Sequence, residues 1–174
     1  MRQKIEKIFN EFTSYIQQYN LEFLLEADVI GWLFYTFVID GNFQNAKFHL
    51  DTRVNNYEGR CDIAYGDLII KEKPLVDPIF LIEVKLFPCT GFSSQQKRRR
   101  FLQIIEKDLV KLKKMCESLP CFMFIMDGCG YLKGKYKTNI RVDTIINIRN
   151  EIAHQIDVFV MSFDKGIWTL NKYD

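Results

Sequence analysis

Three residues in the middle of the chain have the types and spacing for hydrolytic chemistry. Glu83 and Lys85 lie in "FLIEVKLF" (80–87) and Asp62 in "RCDIAYG" (60–66). Residues two apart in a strand share a face. Glu83 and Lys85 therefore project side by side, while Ile82, Val84 and Leu86 project the other way. Ile79 and Leu81 precede the charges on their face, so both faces start apolar, as in a central strand. Asp62 stands between Cys61 and Ile63, in a strand pattern that disfavours Asp. Buried charges need a partner or an ion. If the two strands are neighbours, Asp62 meets Glu83 and Lys85 at one sheet edge. Two carboxylates at one point repel unless a cation lies between them, and oxygen donors suit Mg²⁺ or Mn²⁺. A lysine beside that cation would have a lowered pKa and could position or deprotonate water. The chemistry assembled in this way is metal-assisted hydrolysis, with phosphodiesters as the substrate class. The competing account is a rim ion pair worth ~0–1 kcal/mol.

The elements that must position these residues follow from periodicity. Ile5, Ile8, Phe9, Phe12 and Ile16 recur at helical spacing over 2–19. A second helix is expected over about 21–38, with Leu21, Leu24, Leu25, Val29, Trp32 and Leu33 as its apolar stripe and a break at Gly41-Asn42. "AKFHLDTRV" (46–54) alternates as a strand, "NNYEG" is a turn, and 60–66 is a second, antiparallel strand. A polar stretch (67–78) whose Asp77-Pro78 reads as a turn leads into the strand at 79–87. A long helix over 94–117 places Phe101, Ile104, Ile105, Leu109 and Leu112 on one side. An all-apolar strand (121–127), a basic loop (131–137), a helix (141–153), a strand (156–163) and an edge strand at "GIWTL" complete the chain. The order α-α-β-β-β-α-β-α-β predicts one domain, 1–174, in which helices flank a mixed sheet with parallel crossovers in its later part.

Asp62, twenty intervening residues and then Glu83-Val84-Lys85 resemble the signature of the PD-(D/E)XK, or restriction-endonuclease-like, nuclease superfamily. The resemblance runs from about residue 20 to 127. It implies an α/β fold with the core α-β-β-β-α-β, here with an extra N-terminal helix and a C-terminal helix and strand. It further implies Asp62, Glu83 and the Val84 carbonyl as Mg²⁺ (or Mn²⁺) ligands, Lys85 as the residue that orients or activates water, and a 5′-phosphate product. The family often adds a glutamate on the helix before the sheet. Glu26 in "LLEADVIGWLFYTF" is the candidate, with Glu22 one turn earlier as the substitute. Two departures stand: Cys61 replaces the proline that often precedes the aspartate, and Lys107 stands where some branches have a tyrosine four residues after a glutamine, here Gln103. The expected activity is a divalent-metal-dependent deoxyribonuclease, an endonuclease, with RNA not excluded as substrate. The alternatives are a non-catalytic nucleic-acid- or protein-binding module of the same fold, or the nuclease subunit of a larger restriction or defence complex.

Composition narrows the partners. With 48% hydrophobic and 26% charged residues the chain reads as globular, and 24 Lys+Arg against 22 Asp+Glu give too weak a global field to announce a polyanion partner. A DNA site must then be a local patch. "QQKRRR" (95–100) opens the long helix, where positive charge opposes the helix dipole, so an anion is a natural partner. Arg98, Arg99 and Arg100, with Gln103, are the expected phosphate contacts, and "KGKYK" (133–137) is a further basic loop. Five cysteines without a C-x-x-C pair exclude zinc-ribbon spacing and point to reduced thiols. No signal-peptide core or ~20-residue apolar run occurs, so no membrane association and a cytoplasmic location are expected. Duplex cleavage needs two sites, which makes a homodimer an expectation. Asp51, with His49 and Arg53 on one strand face, reads as a solvated face rather than part of the site.

Overall fold

Alternation and helical spacing produce the expected elements in the expected order. The computed structural model describes all residues except 22–24, 40–42, 45–46, 56, 70–74, 88–94, 129–131, 133–141 and 174. The elements are α1 (Arg2–Tyr19), α2 (Glu26–Ile39), β1 (Phe48–Val54), β2 (Cys61–Ile69), β3 (Leu75–Phe87), α3 (Gln95–Cys116), β4 (Cys121–Asp127), α4 (Val142–Ala153), β5 (Asp157–Asp164) and β6 (Ile167–Tyr173). Glu22, the Gly41-Asn42 break and the 133–137 loop lie outside the described residues. No described helix is long and apolar enough to cross a membrane.

The strands form one six-stranded mixed sheet in chain order, β1-β2-β3-β4-β5-β6. β2 runs antiparallel to β1 and β3, β3-β4-β5 are parallel, and β6 returns antiparallel. The start of β3 also pairs parallel with the end of β1, Arg53 opposite Leu75 and Val54 opposite Val76. Helices cover both faces. α1 and α2 pack with Ile63, Phe80, Ile82, Val84, Phe122, Phe124 and Phe159. The opposite core joins α3 and α4 to Leu81, Met123, Ile125, Val158 and Val160. The architecture is therefore a mixed α/β sandwich.

Local expectations on β3, α2 and α3 need correction. Asp77-Pro78 is not a turn: β3 begins at Leu75 and contains both residues. Proline is tolerated there because the ladder with β2 is irregular between Tyr65 and Gly66, and such bulges accommodate the missing donor. Gly66 is required at this spot, since a Cβ would stand 1.9 Å from the Asp77 carbonyl oxygen. Ile79 is exposed, so only Leu81 begins the charged face as a buried residue.

The second correction is to α2, which starts at Glu26 rather than near 21. Its buried stripe is Val29, Leu33, Thr36 and Phe37, while Leu25 and Trp32 are exposed. Thr36 is accommodated because its hydroxyl donates to the Trp32 carbonyl at 2.9 Å. On α3, Ile104 is likewise exposed, whereas Phe101, Ile105, Leu109 and Leu112 are buried.

Candidate active site

The antiparallel register Ile63↔Ile82 and Ala64↔Leu81 carries Asp62 one step further, to the level of Glu83. Both project to the α3 side of the sheet because their neighbours Ile63 and Ile82 project to the α1/α2 side. The Val84 N–H donates to Asp62 Oδ2 at 2.7 Å, which fixes the Asp62 carboxylate against the backbone of β3. Asp62, Glu83 and Lys85 are thereby assembled as the strand pattern predicts. Glu26 joins them from the first turn of α2. It accepts a hydrogen bond from the Leu86 N–H at 3.3 Å and lies 3.4 Å from Lys85 Nζ.

Lys85 is the centre of the arrangement. Its ammonium donates to the Val84 carbonyl at 2.7 Å and lies 3.4 Å from Asp62, 3.7 Å from Glu83 and 3.3 Å from Asp108. Its side chain is 9% exposed, whereas those of Asp62 and Glu26 are 20% and 39% exposed. These two carboxylates form the mouth of the site, and Glu83 and Asp108, at 3% and 7%, form its floor.

Two residues of this cluster were not anticipated. Asp108 on α3 bridges Lys85 to Lys111, whose Nζ lies 2.7 Å from Asp108 Oδ1. Tyr57, in the β1–β2 connection, donates its hydroxyl to Glu83 Oε1. The sequence did hold a signal for Asp108. It follows Phe101 by seven residues and Ile105 by three, and precedes Leu112 by four, so it is an acid on a buried helix face. Tyr57 lies in a turn without periodicity, and nothing in the sequence marked it.

The electrostatics match this crowding. Burial, the neighbouring Asp62 charge and a hydrogen bond to Asp62 push the Glu83 carboxyl up to about 9. Burial also raises Glu26, partly opposed by Lys85. Burial works against the Lys85 ammonium, but Asp62, Glu26, Asp108 and Glu83 outweigh it and hold the group charged beyond its ordinary range. The lowered lysine pKa expected beside a metal cation concerns a different environment, since here carboxylates surround the ammonium. Burial and the Glu83 charge push the Tyr57 phenol up, so it stays a donor.

Other candidates fall outside this cluster. Arg99 and Arg100, in the first turns of α3, and Gln103 on the same helix are exposed, while the Arg98 side chain lies outside the described residues. Asp51 makes an exposed ion pair with Arg60 at 2.6 Å, and His49 Nε2 lies 3.3 Å from the Gly66 carbonyl, so neither joins the site. Cys61, Cys116 and Cys121 are buried and free. Burial pushes the Cys121 thiol up to about 12.

Among the described residues, no three His, Cys, Asp or Glu side chains are grouped closely enough to hold a metal ion; the carboxylates surround Lys85 instead. The donor set nonetheless suits a hard divalent cation in kind, since every donor at the mouth and floor is oxygen. It suits one in charge as well: among the described residues, Glu26, Asp62, Glu83 and Asp108 face two ammonium groups, Lys85 and Lys111. The raised Glu83 follows first from burial and then from the neighbouring Asp62 charge. The chain matches no family model, and neither the curated proteins nor the solved structures compared with it give a match.

Proposed function

We propose that the chain is a divalent-metal-dependent nuclease of the restriction-endonuclease-like type, hydrolysing phosphodiester bonds of DNA as an endonuclease. The observation that carries this reading is the convergence of Asp62, Glu83 and Glu26 on one buried lysine at the C-terminal end of β3. A purely structural ion pair needs one carboxylate for that lysine. The order α2-β1-β2-β3-α3-β4 agrees with the core expected of that superfamily and supports the reading.

Asp62, Glu83 and the Val84 carbonyl would hold Mg²⁺ or Mn²⁺, with Glu26 completing the set. When bound, the ion would supply Lewis-acid polarisation of a phosphoryl oxygen and a more acidic bound water. The chain's own residues do the positioning. The Val84 N–H fixes Asp62, the Leu86 N–H fixes Glu26, and Tyr57 fixes Glu83. Lys85, held as an ammonium, orients the attacking water through a donated hydrogen bond and stabilises the negative charge that develops on the phosphate. The floor of Glu83, Asp108 and Lys85 is buried, which strengthens these interactions by keeping bulk water out.

A second reading, a nucleic-acid-binding module of the same fold without catalysis, draws on the same lysine. Lys85 bridges four carboxylates and could serve as a structural hub alone. The deciding experiment is cleavage of labelled plasmid, linear duplex, single-stranded and branched DNA and of RNA, in Mg²⁺, Mn²⁺ and EDTA. Wild type should cut in metal only, and Lys85→Ala and Asp62→Ala should each lose at least about 10²–10³-fold in rate. No cutting of any substrate, with no metal binding by calorimetry, would leave the binding module as the reading.

A further inference from the structure

The basic residues of α3 do not end with the cluster at its start. At about 100° per residue, Arg100, Lys107, Lys111 and Lys114 fall within a sector of about 60° on one flank of the helix. Arg100, Lys107 and Lys114 are exposed and Lys111 is half-buried. The row is about 21 Å long at ~1.5 Å per residue. That matches about six base-pair rises of ~3.4 Å.

Two contacts tie this row to the catalytic cluster. Lys111 is held at 2.7 Å by Asp108, which also lies 3.3 Å from Lys85. Lys114 is held at 2.6 Å by Glu58, whose neighbour Tyr57 donates to Glu83. The flank therefore runs along the seam between α3 and the β1–β2 connection and passes the site at Asp108. Among the described residues, Arg100 and Lys107 make no ion pair, although the whole chain carries a net charge of only +2. A rank of cations beside a cluster with an excess of carboxylates is the arrangement a polyanion needs to approach acidic residues that would otherwise repel it.

We infer that Arg100, Lys107, Lys111 and Lys114 form a track for the sugar-phosphate backbone of a nucleic acid and lead that strand to the site at Lys85. The destination rests on the nuclease reading; the binding does not. The track extends the contacts expected at Arg98–Arg100 along the helix, and it replaces Gln103 with Lys107 as the mid-helix contact.

The test is fluorescence anisotropy of labelled single-stranded and duplex DNA 20-mers, and of the matching RNA, in EDTA over a series of KCl concentrations. Wild type is compared with the double variant Arg100→Gln/Lys107→Gln, whose sites are exposed and leave the core untouched. The control is Lys7→Gln on α1, another exposed residue. The double variant should bind about tenfold more weakly. Its slope of log K against log salt should shrink by about 0.9 per lost contact for duplex, or about 0.7 for a single strand, which tells the two backbones apart. Unchanged binding by the double variant, an equal loss in Lys7→Gln, or no binding by wild type would overturn the track. Parallel cleavage assays in Mg²⁺ separate the two readings. A wild type that binds with the expected slope but cuts nothing keeps the track and ends the nuclease reading. A wild type that cuts while the double variant keeps full affinity ends the track alone.

Discussion

The two faces of the sheet are built from different materials. The α1/α2 side gathers Phe9, Phe12, Phe37, Phe43, Phe48, Phe80, Phe122, Phe124 and Phe159. Its rings meet edge-on or tilted, with Phe9 4.8 Å from Phe124 and 4.7 Å from Phe159, and also stacked, as Phe80 does on Phe37 and Tyr65. The α3/α4 side is largely aliphatic, with Phe87 and Phe101 as its phenylalanines, and it carries the buried Glu83, Lys85 and Asp108. The difference separates two tasks. Aromatic rings bury much area in preferred geometries and can hold the sheet by themselves. The opposite face can then tolerate a cluster of charges whose desolvation is unfavourable. β3 is the hinge of the arrangement, since Ile82 and Val84 serve one side while Glu83 and Lys85 serve the other.

Substitutions on each side should therefore differ in size and in kind. The largest effect is expected from Phe9→Ala, which empties the centre of the aromatic face and should lower stability by about 3–5 kcal/mol, read by chemical denaturation. If nucleic-acid affinity falls before the fold does, the division between the faces is wrong. Next is Lys85→Met in EDTA. It leaves four carboxylates without their shared cation and should destabilise by about 2 kcal/mol, less than for a fully buried pair because Glu26 and Asp62 reach solvent. A gain in stability would mean that the cluster is not held by this lysine.

Glu83 should act through pH. Its folded-state pKa is raised by burial and by Asp62, from the ordinary 4.5 to about 9. Between those values the folded chain keeps a proton that the unfolded chain releases. Stability conferred by this group is thus full below about 4.5 and is lost as pH rises toward 9. In EDTA, the Tm should fall by several degrees between pH 5.5 and 8.5, and Glu83→Gln should flatten that dependence. A steeper profile in the variant would refute the assignment. The smallest effect is expected at the rim, where Arg60→Ala breaks the exposed pair with Asp51 and should change stability by less than about 1 kcal/mol.

Strand alternation made Asp62, Glu83 and Lys85 legible, because a period of two fixes the shared face once strands pair. Glu26 was legible only with the family resemblance, as the polar residue in the expected apolar stripe, and that stripe differs because α2 starts at Glu26 itself. Leu25 and Trp32 are apolar by type yet exposed, and side-chain type alone does not say which flank of a short helix meets the sheet. Tyr57 was illegible because turns have no period. Asp77-Pro78 was misread because its extended conformation depends on Gly66 across the ladder, a long-range condition invisible to local turn chemistry. Asp108 could have been found by treating an acid on the buried face of α3 as a signal, in the way that Asp62 was treated within its strand.

The chain-order arrangement of the strands has a consequence for synthesis. Apart from the short β1–β3 pairing, sheet neighbours are consecutive strands, so pairing can proceed in chain order without waiting for distant partners. The last clustered residues, Asp108 and Lys111, emerge before β4, β5 and β6. The acidic cluster and its central lysine are thus made before the last three strands, which close the layers around a site whose members are already present.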